Sequence, residues 1–421
     1  MEKKGFFTYE NRLLIILFFS MGFVFLDRLA ITFLFPFITA EFNLTNFQIG
    51  ILGAAVSLAW AVSGPMIGLM ADKANNRKKF MISLMLIFSV ISFVQGLAMG
   101  FAALLILRLL IGLFEGPFLP IAQSMMAIES TPKRRGFNMG FIQVTPTGLF
   151  GGVLAPLVLV ALANAFNWRF AFYFTIIPGI IMALIMLKFL REPNLPKNEV
   201  VSTTVPNSES KIKIMDVIKN RNIWLSMIIC GFALTWFNVF AVFAPTYLVN
   251  IKGFSTSEMS VIMSVAGAAA MVWGLVVPAI SDKLGRKPLM TLFALISALS
   301  PLVILYSNAP IVIFALLIFL FHTGQGFHPI FMAIVPAEST SPLYVGFAIG
   351  LIMGFGEITG GVIAPILAGY LADVFGLGAP LWICVGSAIG ATIVSCFIKE
   401  TAPVKIKHIL PEVSEGKVAI K

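Results

Sequence analysis

Charge is what this chain has least of. Asp, Glu, Lys and Arg make up 11% of its 421 residues, against 59% hydrophobic ones, a balance that a water-soluble protein of this size does not reach. Cysteines number three, Cys230, Cys384 and Cys396, all in or near apolar stretches and without ligand-like spacing, so neither a disulfide framework nor a zinc site is supported. The sequence has no phosphate-binding glycine loop, nucleophile elbow, metal constellation or nucleotide fingerprint. These absences argue against an enzyme and against ATP as a power source; no cofactor and no metal are expected.

What is there is a series of apolar runs. Stretches of about 20 residues, each long enough to cross a hydrocarbon core of roughly 30 Å, recur twelve times, near 13–39, 47–71, 80–100, 102–127, 137–162, 169–190, 222–249, 256–281, 288–308, 310–336, 343–371 and 379–398. The first is too long for a signal-peptide core and has no small-residue cleavage site, so it reads as a retained span. The expectation is an all-α membrane protein of twelve transmembrane helices. A formal net charge of +10 is compatible with nucleic-acid binding, but its distribution argues otherwise. With a cytoplasmic N-terminus, all but four of the 29 Lys and Arg lie on the inner side; Arg169 and Lys252 lie outside, and Arg28 and Arg108 within spans. The positive-inside rule therefore places both termini in the cytoplasm. The basic excess follows from topology and anionic lipid, with the bilayer and not nucleic acid as partner.

The chain also repeats itself. "GGVLAP" at 151–156 returns as "GGVIAP" at 360–365, "AIESTP" at 127–132 as "PAESTSP" at 336–342, and "DKANNRKK" from 72 as "DKLGRKP" from 282, at offsets of 209 or 210. Two six-helix halves are implied, 1–191 and 221–398, joined by a polar cytoplasmic linker at 192–220 and followed by a cytoplasmic tail at 399–421. Parallel halves of this kind share a pseudo-two-fold axis along the membrane normal and bind substrate between them near the midplane.

"GLMADKANNRKK" (68–79) and its second copy "PAISDKLGRK" (278–287) resemble the loop signature of the major facilitator superfamily, with Asn75-Asn76 where the family usually has Gly-Arg and Pro278 where it usually opens with Gly. Asn tolerates a left-handed turn, so Asn75 can stand in for glycine. The resemblance implies a major facilitator fold and assigns Asp72, Lys73, Arg77, Asp282, Lys283 and Arg286 to an inner gate. Topology and helix-end stabilisation alone would also place charges there.

Five charges lie well inside the expected spans: Asp27, Arg28, Arg108, Glu115 and Glu357. Such groups are costly in a bilayer and mark function by default, although a structural ion pair would also retain them. Arg108 and Glu115 are seven residues apart, two helical turns and nearly one face. Gly112 and Gly116 on that stretch permit close helix approach, and Pro117 and Pro120 loosen the helix just beyond the acid.

"FLDRLAITFLFPFI" in the first span, "LRLLIGLFEGPFLP" in the fourth and "TWFNVFAVFAPTYLVNIKGFS" in the seventh narrow the resemblance to the anion:cation symporter family. Its bacterial members carry sugar acids, and it keeps an Asp-Arg pair on span one and an Arg and a Glu seven apart on span four. All four positions match here. The resemblance implies proton-coupled symport of a small organic anion by alternating access in a monomer of the cell membrane, and its span-five glutamine maps onto Gln143. Two arginines and two carboxylates make a nominally neutral cavity, and a bare carboxylate added to it needs an accompanying proton. A guanidinium binds a carboxylate through two parallel hydrogen bonds. Arg28 is therefore expected to clamp substrate and to pair with Asp27 or Glu115 in its absence, Arg108 to bind or tune, and Asp27 and Glu115 to carry protons, so that proton and anion favour each other's binding. Gln143, Thr145, Thr147, Trp236, Asn238, His322, Gln325 and His328 are candidates for polar recognition; each would equally serve as an interhelical hydrogen bond or packing group. Glu357, in "GFGEITGG", departs from the sugar-acid pattern and reads as a second proton site, a partner for a basic substrate group, or a paired acid.

Two rivals compete with this reading. An exporter of amphiphilic drugs or lipids usually shows Gly-Pro before Gly-Gly on span five, the reverse of "GLFGGVLAP", and Arg28 would repel lipophilic cations. A receptor or scaffold that kept the fold would hold a costly charged cavity without use.

Overall fold

Apolar side chains on every face of a long segment leave a helix no reason to stop until a breaker or a charged loop intervenes. The helices of this chain run accordingly. The computed structural model describes residues 8–74, 76–131, 134–193, 217–340 and 344–406; among them all regular structure is helical. The spans of the first half are Tyr9–Phe42, Asn46–Ala74, Arg77–Gln95, Phe101–Glu129, Phe141–Ala165 and Trp168–Phe189. Those of the second are Arg221–Asn250, Thr256–Leu284, Arg286–Tyr306, the pair Ile311–Phe321 and Ile330–Ser339, Val345–Phe375, and Gly378–Ser395. Large apolar residues such as Ile106, Leu184, Val312 and Leu316 are more than half exposed, as lipid-facing residues are and as a water-facing surface of this extent is not. This is a multi-pass membrane protein.

The tenth span differs from the uninterrupted run expected at 310–336. It unwinds at 322–327, where His322 caps the first piece and Pro329 precedes the second. Glycines at 324 and 326 permit the break, and a proline that lacks an N–H cannot extend the helix behind it. Irregular backbone at this depth is tolerated where it lines a cavity or is buried in protein.

The repeat in sequence is a repeat in backbone. Each half has a helix that widens into a π-helical segment at the repeated hexapeptide, Thr147–Leu154 in the fifth span and Glu357–Ile363 in the eleventh, and a further π-helical segment, Ile330–Ile334, lies in the tenth. The segments of the fifth and eleventh spans carry the Gly-Gly of that hexapeptide. A Cβ on Gly152 would stand 2.7 Å from the backbone of Gly267 in the eighth span, and one on Gly360 would stand 2.6 Å from Leu234 in the seventh. The glycines let backbones touch where larger residues would separate the helices.

The two halves are joined unequally along their length. Away from the termini they share one apolar core that includes Phe35, Leu52 and Phe172 of the first half with Phe243, Leu248 and Ala368 of the second. Towards the termini each half has its own core, around Met81 and Phe118 in the first and around Met290 and Phe331 in the second. Hydrogen bonds across the halves follow the same division. Asp373 accepts from the backbone N–H of Asn46 and Phe47 at 2.8 and 2.9 Å, capping the second span from the eleventh. Thr256 donates to Asn164, and Asn164 to Ser257.

Most of the linker expected at 192–220 and of the tail expected at 399–421 falls outside the described residues. Its flanks hold acidic caps in matching places: Glu192 accepts from the N–H groups of Arg77 and Lys78 at the start of the third span, and Glu400 from those of Arg286 and Lys287 at the start of the ninth. Carboxylates at helix N-termini satisfy otherwise orphaned donors.

Candidate functional site

A cavity of about 220 Å³ lies between the halves, lined from the first half by spans one, two, four and five and from the second by spans seven, eight, ten and eleven. Arg28 reaches it from the first span. Its guanidinium donates to Ser57 Oγ at 3.2 Å, lies 4.8 Å over the Trp60 ring, and stands 3.9 Å from Glu357 Oε2 across the half-to-half boundary. Glu357 lines the same cavity, and its Oε2 accepts no hydrogen bond among the described residues. The π-helical turn that begins at Glu357 places the acid there; a single such turn inside an α-helix often marks a functional position.

Asp27, one residue before Arg28, is buried on the other side of the same helix. Ser92 of the third span donates to its Oδ1, and Ser92 is in turn hydrogen-bonded to Thr175 of the sixth at 2.7 Å. Glu115, fully buried, faces Asp27, and neither Asp27 Oδ2 nor either Glu115 oxygen has a hydrogen-bond donor among the described residues. Arg108 supplies the positive charge beside both acids and donates from Nη2 to the backbone carbonyl of Arg28 at 3.0 Å. This pocket is closed because the fourth span packs tightly on the second. Ser63 donates to the Gly112 carbonyl at 3.1 Å, and a Cβ on Gly112 would fall 2.8 Å from Ala59 and one on Gly116 2.9 Å from Trp60.

The carboxylate that faces Arg28 is therefore Glu357, where Asp27 or Glu115 was expected. Successive helical residues project about 100° apart, and in this span the step turns Arg28 to the cavity and Asp27 to Ser92 of the third span. Of the other candidates, Gln143, Thr147, Asn238, His322, Gln325 and His328 line the cavity, and Arg108, Thr145 and Trp236 do not. Trp236 packs its ring against His322 and Phe240 and donates its N–H to the Ser297 carbonyl. The residues that complete the two charged sites, Ser57, Trp60, Ser92 and Thr175, had one legible signal in the sequence. Each is a polar-tipped side chain in an otherwise apolar span, although nothing in their spacing names their partners.

The inner-gate positions divide between described and undescribed. Arg286 pairs with Asp282 at 2.5 Å and with Glu338 at 2.9 Å, all within the second half, and Glu338 also accepts from Thr401. Lys283 is exposed. Arg77 donates from Nε to Ser124. The side chains of Asp72 and Lys73, at the end of the second span, lie outside what the structure describes. Among the described residues no cluster of potential metal ligands occurs.

Comparison with known proteins agrees with this architecture. The chain is 26% identical over 406 residues to the hexuronate transporter of Bacillus subtilis (strain 168), covering 90% of this chain and 92% of that one. It is 29% identical over 386 residues to the cis,cis-muconate transport protein of Acinetobacter baylyi (strain ATCC 33305 / BD413 / ADP1), covering 89% and 91%. Among solved structures it superposes on a D-xylose-proton symporter with a TM-score of 0.75 at 16% identity, covering 94% and 99% of the two chains, a likeness of fold. The sequence model of the Major Facilitator Superfamily matches residues 17–359, and with two six-helix halves around a charged central cavity the chain belongs to that superfamily of membrane transporters and is not an enzyme.

Proposed function

We propose that the protein is a secondary transporter of a small organic anion, coupled to protons and working by alternating access. One observation carries this reading: a guanidinium, Arg28, held by Ser57 and Trp60, looks into the cavity between the halves with a carboxylate of the opposite half 3.9 Å away. An incoming carboxylate would take the two parallel hydrogen bonds that this fork offers and displace Glu357. The hexuronate and muconate transporters among its relatives are consistent with an acidic cargo. A lipophilic cation would meet Arg28 instead, which disfavours the drug-export reading.

Protons enter through the closed pocket. Two carboxyl groups that face each other without a donor are a place for one proton to be shared, as in other buried acid pairs. Arg108 links that pocket to the cargo site, since it acts on both acids and grips the backbone of Arg28. A proton gained at Asp27 and Glu115 frees Arg108 from part of its charge partnership and shifts the segment of the first span that presents Arg28. Glu357 is a second acid whose charge the cargo must displace. Between them the halves rock about the shared core at the far end. With the termini in the cytoplasm, the shared far-end core and separate near-end cores correspond to an inward-facing arrangement, and the Asp282–Arg286–Glu338 network belongs to the gate on that side.

Uptake of radiolabelled benzoate and glucuronate into proteoliposomes tests the coupling. A Glu115→Gln variant is expected to keep substrate exchange across the membrane and to lose accumulation driven by a pH gradient. Undiminished accumulation would remove Glu115 from the coupling role.

A further inference from the structure

The cavity wall contributed by the eighth span is made of Met263, Ala266, Gly267, Ala270, Met271 and Gly274. These are successive positions of one helical stripe, and none has a hydrogen-bonding side chain. Across from it, Phe25 and Phe33 flank Arg28 along the first span, and Phe237 and Phe240 face in from the seventh. Several polar groups of the lining are turned to the protein, while Gln325 and His328 have no hydrogen-bond partner among the described residues. The Asn238 amide donates to the carbonyls of Leu234 and Gly360 at 3.0 and 3.2 Å, the Thr147 hydroxyl donates to the Gln143 carbonyl at 2.7 Å, and Gln143 Oε1 accepts from Gln123 at 3.2 Å. His322 is held between the rings of Trp236 and Phe240 with Nδ1 on Ser300. Among the described lining residues, Arg28 is the one fixed cation.

A polyhydroxylated acid brings several hydroxyls that must each exchange water for a protein partner, and every one left without a partner lowers affinity by on the order of tenfold. A flat apolar body needs no such partners and gains from contact with smooth methyl, thioether and ring surfaces. We propose that the cargo is a monocarboxylate whose remainder is flat and apolar, an aromatic or conjugated acid, with its carboxylate on Arg28 and its body between the aromatic side chains of spans one and seven and the small-residue wall of span eight. This rests on Arg28 as the carboxylate clamp and narrows the sugar-acid expectation drawn from sequence.

The test is calorimetric titration of the purified protein in lipid nanodiscs with trans-cinnamate, glucuronate and the uncharged cinnamyl alcohol, after subtraction of binding by empty nanodiscs. Cinnamate is expected to bind at least tenfold more tightly than either of the others. A Phe237→Asn variant, which places a hydrogen-bonding group at a half-buried wall position, is expected to narrow the cinnamate-to-glucuronate ratio at least threefold. Glucuronate binding as tightly as cinnamate, or a ratio unchanged in the variant, overturns this inference and leaves the organic-anion reading standing. Absence of binding by both acids overturns that reading as well.

Discussion

Asp27 and Arg28 are neighbours in the chain and occupy opposite kinds of place. Arg28 stands in the cavity between the halves, touched by Ser57, Trp60 and Glu357. Asp27 sits in a closed pocket of the first half with Ser92, Arg108 and Glu115. Arg28 borders a cavity of about 220 Å³, whereas Asp27, Arg108 and Glu115 are each at most 2% exposed. A helix is what allows this: one residue of advance turns the side chain about 100° without breaking the backbone. Two charges of opposite sign thus serve two sites on one rigid element, and the contact from Arg108 to the Arg28 carbonyl joins them.

The largest effect that would sharpen this contrast is expected in the closed pocket. Arg108→Ala leaves two buried acids without their cation, a loss of about 3–5 kcal/mol, seen as a fall in melting temperature of the purified protein. Adding Glu115→Gln should return part of that loss. In the open chamber, Arg28→Ala should leave the melting temperature nearly unchanged and weaken carboxylate binding roughly 100-fold, about 3 kcal/mol for a charge-assisted pair of hydrogen bonds; titration with cinnamate measures it. Comparable destabilisation by the two variants would erase the distinction between the sites. Glu357→Gln removes the anion that competes for Arg28, and affinity for the same ligand should rise about fivefold, by about 1 kcal/mol. The smallest effect concerns the far end. Asp373→Ala removes the cap that ties the second span to the eleventh, worth about 1 kcal/mol, and should speed alkylation from the far side of a cysteine placed at Leu29 in a Cys396→Ser background.

Much of the fold is legible without coordinates because the bilayer imposes a length and a polarity on each span. The repeat at 151–156 and 360–365 likewise announces two matching halves, since Gly-Gly before Ala-Pro has the same packing use in each. The tenth span shows the limit. Its glycines and Pro329 permit a break, yet a glycine-rich apolar run also reads as one helix, and only the cavity beside it makes the unwound form acceptable. The site was legible as a set of residue types and not as a set of pairs. Five charges in apolar surroundings were visible at once, whereas the facing of Arg28 and Glu357, 329 positions apart, depends on how one half seats against the other.

Composition and periodicity by themselves determined that the chain spans a membrane many times, that it is built from two like halves, and that Asp27, Arg28, Arg108, Glu115 and Glu357 need partners or water, because the cost of a charge in hydrocarbon is a local property of each position. Tertiary structure alone decided which of these charges share a chamber. Partnership across helices is fixed by rotation about each helix axis and by close approach at Gly112, Gly116, Gly152 and Gly360, and neither is written in the spacing of any single segment.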